Sequence, residues 1–190
     1  AGNVEVPELP NEPLETQRRR VLVADKSDVN QARFSMGHVG MRADDADYYS
    51  MSVANRILGG GFGNRLFNEV RSRQGLAYSV GSSPGTGFRY PGLFFAYTMT
   101  KSESTEKAAQ AILAEIQRML DEEVTDEELA QAKDSILNSE VFNFDTKREI
   151  LDRAVMYERY GYPDDFLQKY QEQVKNMTKA DVLAATQAVW

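Results

Sequence analysis

Arg71 and Tyr78 stand on either side of Gly75 in the run Arg71-Ser72-Arg73-Gln74-Gly75-Leu76-Ala77-Tyr78. Arg71 falls at the end of a helical stretch, Gly75 turns the chain, and Tyr78 stands on the strand that follows, so both polar tips can emerge at one sheet edge. A guanidinium fork and a phenol are hydrogen-bond donors, and donors aimed at a carbonyl stabilise the oxyanion that develops during peptide hydrolysis. The same pair also fits a plain surface arginine and a core tyrosine.

Just upstream, Leu58-Gly59-Gly60-Gly61-Phe62-Gly63-Asn64-Arg65-Leu66-Phe67 places four glycines within five positions. A P-loop needs Lys-Ser/Thr after its last glycine, and a dinucleotide fingerprint needs G-x-G-x-x-G after a strand. Gly59, Gly60, Gly61 and Gly63 follow a helix and continue into Asn64-Arg65-Leu66, so neither nucleotide motif is present. They read as a helix stop, a tight turn with positive φ and a new helix start. Such a loop serves equally as a plain helix-helix corner or as a place where a peptide backbone approaches closely.

The remaining candidates are few. His38 is the one histidine, on a strand where Phe34, Met36 and His38 share a face, and it reads as a residue at the edge of a core face. A catalytic zinc site normally needs at least two histidines, so no metal ligand set is assigned to this chain and H-E-x-x-H and H-x-x-E-H are both excluded. The same shortage removes Ser-His and Cys-His hydrolase arrangements. The acidic run Asp121 to Glu128 lacks the spaced ligands and central glycine of a calcium loop, and capping of a helix by Thr125 and Glu128 explains it. No cysteine is present, which excludes disulfides and thiolate chemistry.

The 190 residues suffice for one well-filled core, and 42% hydrophobic composition with mixed charge belongs to a globular protein. With 29 acidic against 22 basic side chains the formal charge is -7, which argues against nucleic acid as a partner. No run is apolar enough to span a membrane. The N-terminus lacks the basic start and apolar centre of a signal peptide and does not begin with Met, so the chain reads as a mature product or an excised fragment.

Pro7, Pro10 and Pro13 make residues 1–17 an extended linker from a preceding domain, and residues 18–190 one domain. Strands are expected at Val21 to Ala24, Ala32 to Val39, Tyr78 to Ser83 and Leu93 to Thr100, the last with both faces partly covered. Asp44-Asp45 is expected to cap a helix with Tyr49, Val53 and Ile57 on one face, and a shorter helix takes Asn64 to Arg71. From Ser104 the pattern turns helical. Further helices follow the Thr125 cap, and others span Thr146 to Tyr160, Pro163 to Val174 and the stretch after Thr178-x-x-Asp181. Strands first and helices afterwards define an α+β class, with a mostly antiparallel sheet covered by helices.

The ordered combination resembles the second domain of pitrilysin/insulinase-type inverzincin peptidases, the group that includes the mitochondrial processing peptidase. It is carried by Gly37-His38-Val39-Gly40, by Leu58 to Phe67, by Arg71 with Tyr78, and by the helical second half. The resemblance implies a LuxS/MPP-like metallopeptidase fold in which two similar domains face each other across a chamber. One supplies zinc through H-x-x-E-H; the other, resembled here, supplies the Arg/Tyr pair. Zinc would then belong to a homologous partner domain or subunit, whose metal-bound water attacks the peptide while a glutamate takes its proton. Arg71 and Tyr78 would bind substrate and polarise the scissile carbonyl, and a periplasmic setting is favoured over a cytoplasmic one. The alternative is a structural or interaction subunit that kept the peptidase fold and lost its catalysis.

Overall fold

In the computed structural model, residues 19–142 and 146–190 are described. The linker expected over residues 1–17 lies outside the described residues. A three-stranded antiparallel sheet has the order β1 (Gln31–Val39), β5 (Leu93–Lys101), β3 (Ser79–Pro84). Its register sets His38 opposite Phe94 and Gly81 opposite Tyr97. Two-residue strands β2 (Met41–Arg42) and β4 (Thr86–Gly87) pair in parallel, an addition too short to leave a periodic signal.

The alternation of β5 decides how the sheet is covered. Phe94, Ala96, Thr98 and Thr100 are buried, whereas Leu93, Phe95 and Met99 on the opposite face are exposed. Helices α1 (Tyr48–Leu58) and α2 (Thr105–Asp121) close the Phe94 face, burying Met51, Val53, Leu58, Ile112 and Met119 into the same core. Coverage of both faces is therefore corrected: among the described residues one face is covered. Inside the core the two threonines are satisfied, Thr98 donating to the Ser79 carbonyl at 2.9 Å and Thr100 to the Leu76 carbonyl at 2.5 Å.

The helical second half follows its local signals. α3 (Asp126–Phe142), α4 (Lys147–Tyr160) and α6 (Lys179–Val189) each start at a reciprocal box, Thr125 with Glu128, Thr146 with Glu149 and Thr178 with Asp181. α5 occupies Phe166–Asn176, later than the expected Pro163 to Val174: residues 163 to 166 form a turn, the Phe166 N–H donating to the Pro163 carbonyl at 2.9 Å. α4 stops at Gly161, whose φ of 67° is left-handed.

Two further expectations fail. Val21 to Ala24 is not a strand, and Val21, Leu22 and Val23 are exposed. Their β propensity is real, but β1 hydrogen-bonds to β5 and no described strand pairs with Val21 to Ala24. Asp44 and Asp45 do not cap α1. The Asp45 carboxylate accepts the Arg42 backbone N–H at 2.8 Å and Asp44 pairs with the Arg42 guanidinium, so the helix begins later, at Tyr48.

Candidate functional site

The glycine loop is the joint between α1 and the helical segment that carries Arg71. α1 ends at Gly59, and the Asn55 carbonyl accepts both the Gly59 N–H at 2.9 Å and the Gly60 N–H at 2.7 Å. The Asn55 side chain is buried and accepts the Ser82 hydroxyl at 2.7 Å, while the Ser82 N–H donates to the Gly59 carbonyl at 3.2 Å. One asparagine thus ties the loop to strand β3. A Cβ on Gly59 would meet the Ser82 nitrogen at 2.6 Å and Leu66 Cδ1 at 2.8 Å, so close packing excludes a side chain there.

Positive φ belongs to Gly63 alone in this loop, at 73°. The tight turn expected across Gly59 to Gly63 is thereby narrowed to its last glycine. Gly60 and Gly61 keep ordinary backbone and are constrained by neighbours, Asn55 for the first and the Arg56 side chain for the second. Arg56 also donates to the Gly60 carbonyl at 3.1 Å.

Beyond the turn, Asn64 donates to the Gly61 carbonyl and accepts the Phe67 N–H at 2.8 Å, starting the next segment. That segment is a π-helix over Phe67–Arg73, in place of the ordinary helix expected from Asn64 to Arg71. Its widened turns are closed by the Gln74 N–H to the Glu69 carbonyl at 3.0 Å and the Leu76 N–H to the Val70 carbonyl at 2.9 Å. The second bond folds the chain back on itself. It brings the sequence after Arg71 to the start of β3, where the Tyr78 N–H donates to the Met99 carbonyl at 2.8 Å.

Tyr78 therefore sits immediately before β3, not on it, and is 53% exposed. Arg71 is exposed too, with its guanidinium 4.9 Å above the Phe67 ring. Neither the guanidinium nor the phenol has an ion-pair or hydrogen-bond partner among the described residues. Phe62, at the tip of the glycine loop, is 94% exposed, and its ring lies tilted against that of Phe67 with centroids 5.2 Å apart. Phe62, Phe67 and Arg71 form a continuous aromatic and cationic surface. Phe67 and Phe62 were not singled out by sequence; the only signal was two aromatics five residues apart around the turn.

The carboxylate nearest in sequence, Glu69, is occupied. It accepts hydrogen bonds from Arg73 and from Gln74, and these hold its carboxyl below the ordinary glutamate range. A carboxylate so held is a weak proton acceptor. A second joint fixes the loop from below: Arg65, with only 6% of its side chain exposed, donates from Nε and Nη2 to both oxygens of Glu128 at 2.6 and 2.8 Å. A cavity of about 290 Å³ lies between the loop and α3, lined by Arg56, Phe62, Asn64 and Gln131 among others.

His38 is exposed, its Nδ1 2.7 Å from the Val39 carbonyl and its ring 5.1 Å from Phe94. Among the described residues no group of three His, Cys, Asp or Glu side chains could hold a metal ion. The donor set of the described residues does not fit zinc. No helix among the described residues is long and apolar enough to cross a membrane.

An α+β layer carrying an exposed arginine and an exposed tyrosine is what the resemblance to the non-metal domain of inverzincin peptidases implies. The comparison with known proteins agrees: the description "Peptidase M16 inactive domain" matches residues 2–136, and the chain belongs to that family. An uncharacterized zinc protease of Streptomyces coelicolor is 32% identical over 123 residues, covering 65% of this chain and 27% of that protein. A probable inactive metalloprotease of Bacillus subtilis is 24% identical, covering 88% of this chain and 38% of its own length. The crystal structure of a peptidase M16 inactive domain from Pseudomonas fluorescens superposes with a TM-score of 0.75 at 29% identity, over 85% of this chain and 39% of that one. The chain thus spans about a quarter to two fifths of the length of these relatives.

Proposed function

We propose that this chain is the half of a two-domain metallopeptidase that binds the peptide and completes an active site whose metal ligands lie outside it. The observation that carries this reading is that Arg71, in the π-helix, and Tyr78, just before β3, are both exposed donors without an ion-pair or hydrogen-bond partner among the described residues, with exposed Phe62 on the loop that leads into that helix. Membership of an inactive-domain family supports the division of labour.

In this reading the Arg71 guanidinium and the Tyr78 hydroxyl donate to the scissile carbonyl and gain strength as its oxygen becomes an oxyanion. Phe62 and Phe67 offer the apolar surface on which a peptide side chain rests. Asn55 and Ser82 hold the glycine loop so that backbone can approach it. The partner is a homologous domain bearing H-x-x-E-H and zinc, in the same polypeptide or in another. The test is to assemble this chain with that half and measure peptide turnover with Arg71→Ala and Tyr78→Phe. Loss of turnover supports the reading; unchanged turnover with folding intact assigns the chain to a structural role.

A further inference from the structure

Helix α4 has two different faces. Inward, Tyr157 and Tyr160 join an aromatic cluster, Tyr157 lying 5.4 Å from both Tyr162 and Phe166, and Tyr160 stacking on Phe88 at 4.4 Å. Outward, Ile150, Leu151, Ala154 and Val155 fall at i, i+1, i+4 and i+5, which makes one stripe on a helix. Ile150 is 50%, Leu151 62% and Val155 56% exposed, and no residue of α4 is buried. Branched aliphatics concentrated on one stripe, at the outer face of a helix that already has an inner one, are a docking surface rather than scattered surface residues.

The charges at the ends of the stripe make it complementary to a second copy of itself. Lys147 lies at its N-terminal end and Glu158 at its C-terminal end, and neither forms an ion pair among the described residues. A two-fold axis through the helix between Asp152 and Arg153 lays a second α4 antiparallel on the first. That axis sets Ile150 against Val155, Leu151 against the small Ala154, and Lys147 against Glu158, every contact occurring twice. A parallel pair would set Lys147 against Lys147 and Glu158 against Glu158, which like-charge repulsion disfavours.

We propose that this chain self-associates as an isologous two-fold dimer through the outer face of α4. The inference does not rest on the peptidase reading, because Arg71 and Tyr78 take no part in it. A single 14-residue helix contributes less than a standard interface, so the association is weak.

Sedimentation equilibrium of the 190-residue chain from about 10 µM to about 1 mM tests this, with circular dichroism confirming that each variant is folded. The expected result is a monomer-dimer equilibrium, abolished by Leu151→Glu. Lys147→Glu and Glu158→Lys should each weaken association by about tenfold, and the double reversal should restore it. A chain that stays monomeric throughout, or a Leu151→Glu variant that dimerises like the parent, overturns the proposal. So does a double reversal no better than the singles. Binding of the stripe to the rest of a longer polypeptide, with no self-association, would overturn it equally and assign the surface to that half.

Discussion

Arg65 and Glu128, 63 residues apart in sequence, form a two-pronged ion pair in which Glu128 also closes the capping box of α3. One carboxylate therefore fastens the segment after the glycine loop to the helix that packs beneath it. Replacing Glu128 by Gln weakens both joints and leaves the Arg65 charge buried without a counter-charge. The expected loss is about 2 to 4 kcal/mol, less if the partly exposed rim admits water. Urea unfolding of the variant measures it, and a loss below about 0.5 kcal/mol would show that the pair is ornamental.

The same pair gives the chain an acid dependence. Burial pushes the Glu128 carboxyl up, but hydrogen bonds from Arg65 and Thr125 and the Arg65 charge outweigh it and hold the carboxyl below its ordinary value. A carboxyl depressed in the folded state stabilises above its unfolded pKa, about 4.3, and the contribution fades as pH falls through the lower folded value. Glu69 and Asp181 are shifted in the same direction. Melting temperature should hold from neutral pH to about 5 and fall steeply below about 4. Glu128→Gln should flatten that fall; a variant with the parent's acid slope contradicts the assignment.

The glycines should rank by what surrounds them. Gly59→Ala drives a methyl against the Ser82 backbone and Leu66, and should cost about 1 to 3 kcal/mol. Gly63→Ala has open space but a φ of 73°, and should cost about 1 kcal/mol. Gly61→Ala meets the movable Arg56 side chain and should cost least. Thermal or urea unfolding of the three variants gives the order, and a reversed order of Gly59 and Gly61 would refute the packing account.

Sheet coverage makes a sharp contrast between neighbours. Phe94→Ala empties the core and should destabilise by about 3 to 5 kcal/mol, whereas Phe95→Ala, on the open face, should cost under about 1 kcal/mol in this chain. Similar losses for the two would mean that the face bearing Phe95 is covered.

What could be read from sequence was what is local. The caps at Thr125 and Thr178 marked two helix starts, because a cap and its partner lie within one turn. The α+β class followed from the order of strands and helices. Interactions over long spans were not legible: nothing in the sequence joins Arg65 to Glu128 or Asn55 to Ser82. Val21 to Ala24 has strand composition without a described neighbour, and composition cannot supply one. The loop glycines looked alike, yet only Gly63 uses positive φ, while Gly59 is required by contacts with a strand some twenty residues away. Arg71 and Tyr78 stood out through the family resemblance, since the residues alone fitted a surface arginine and a core tyrosine equally, and their exposure and lack of described partners needed coordinates.

The central claim is that Arg71 and Tyr78 serve chemistry whose metal lies in another domain. The direct measurement assembles this chain with the proposed zinc-bearing half and compares peptide turnover, zinc content and stability for the parent, Arg71→Ala and Tyr78→Phe. Both side chains are exposed, so stability should change by under about 0.5 kcal/mol, and zinc content should not change. Turnover should fall by roughly a hundredfold in each variant, the usual effect of losing one oxyanion donor, and the double variant should fall by less than the product. Full turnover in both single variants, with zinc and folding intact, would contradict the account.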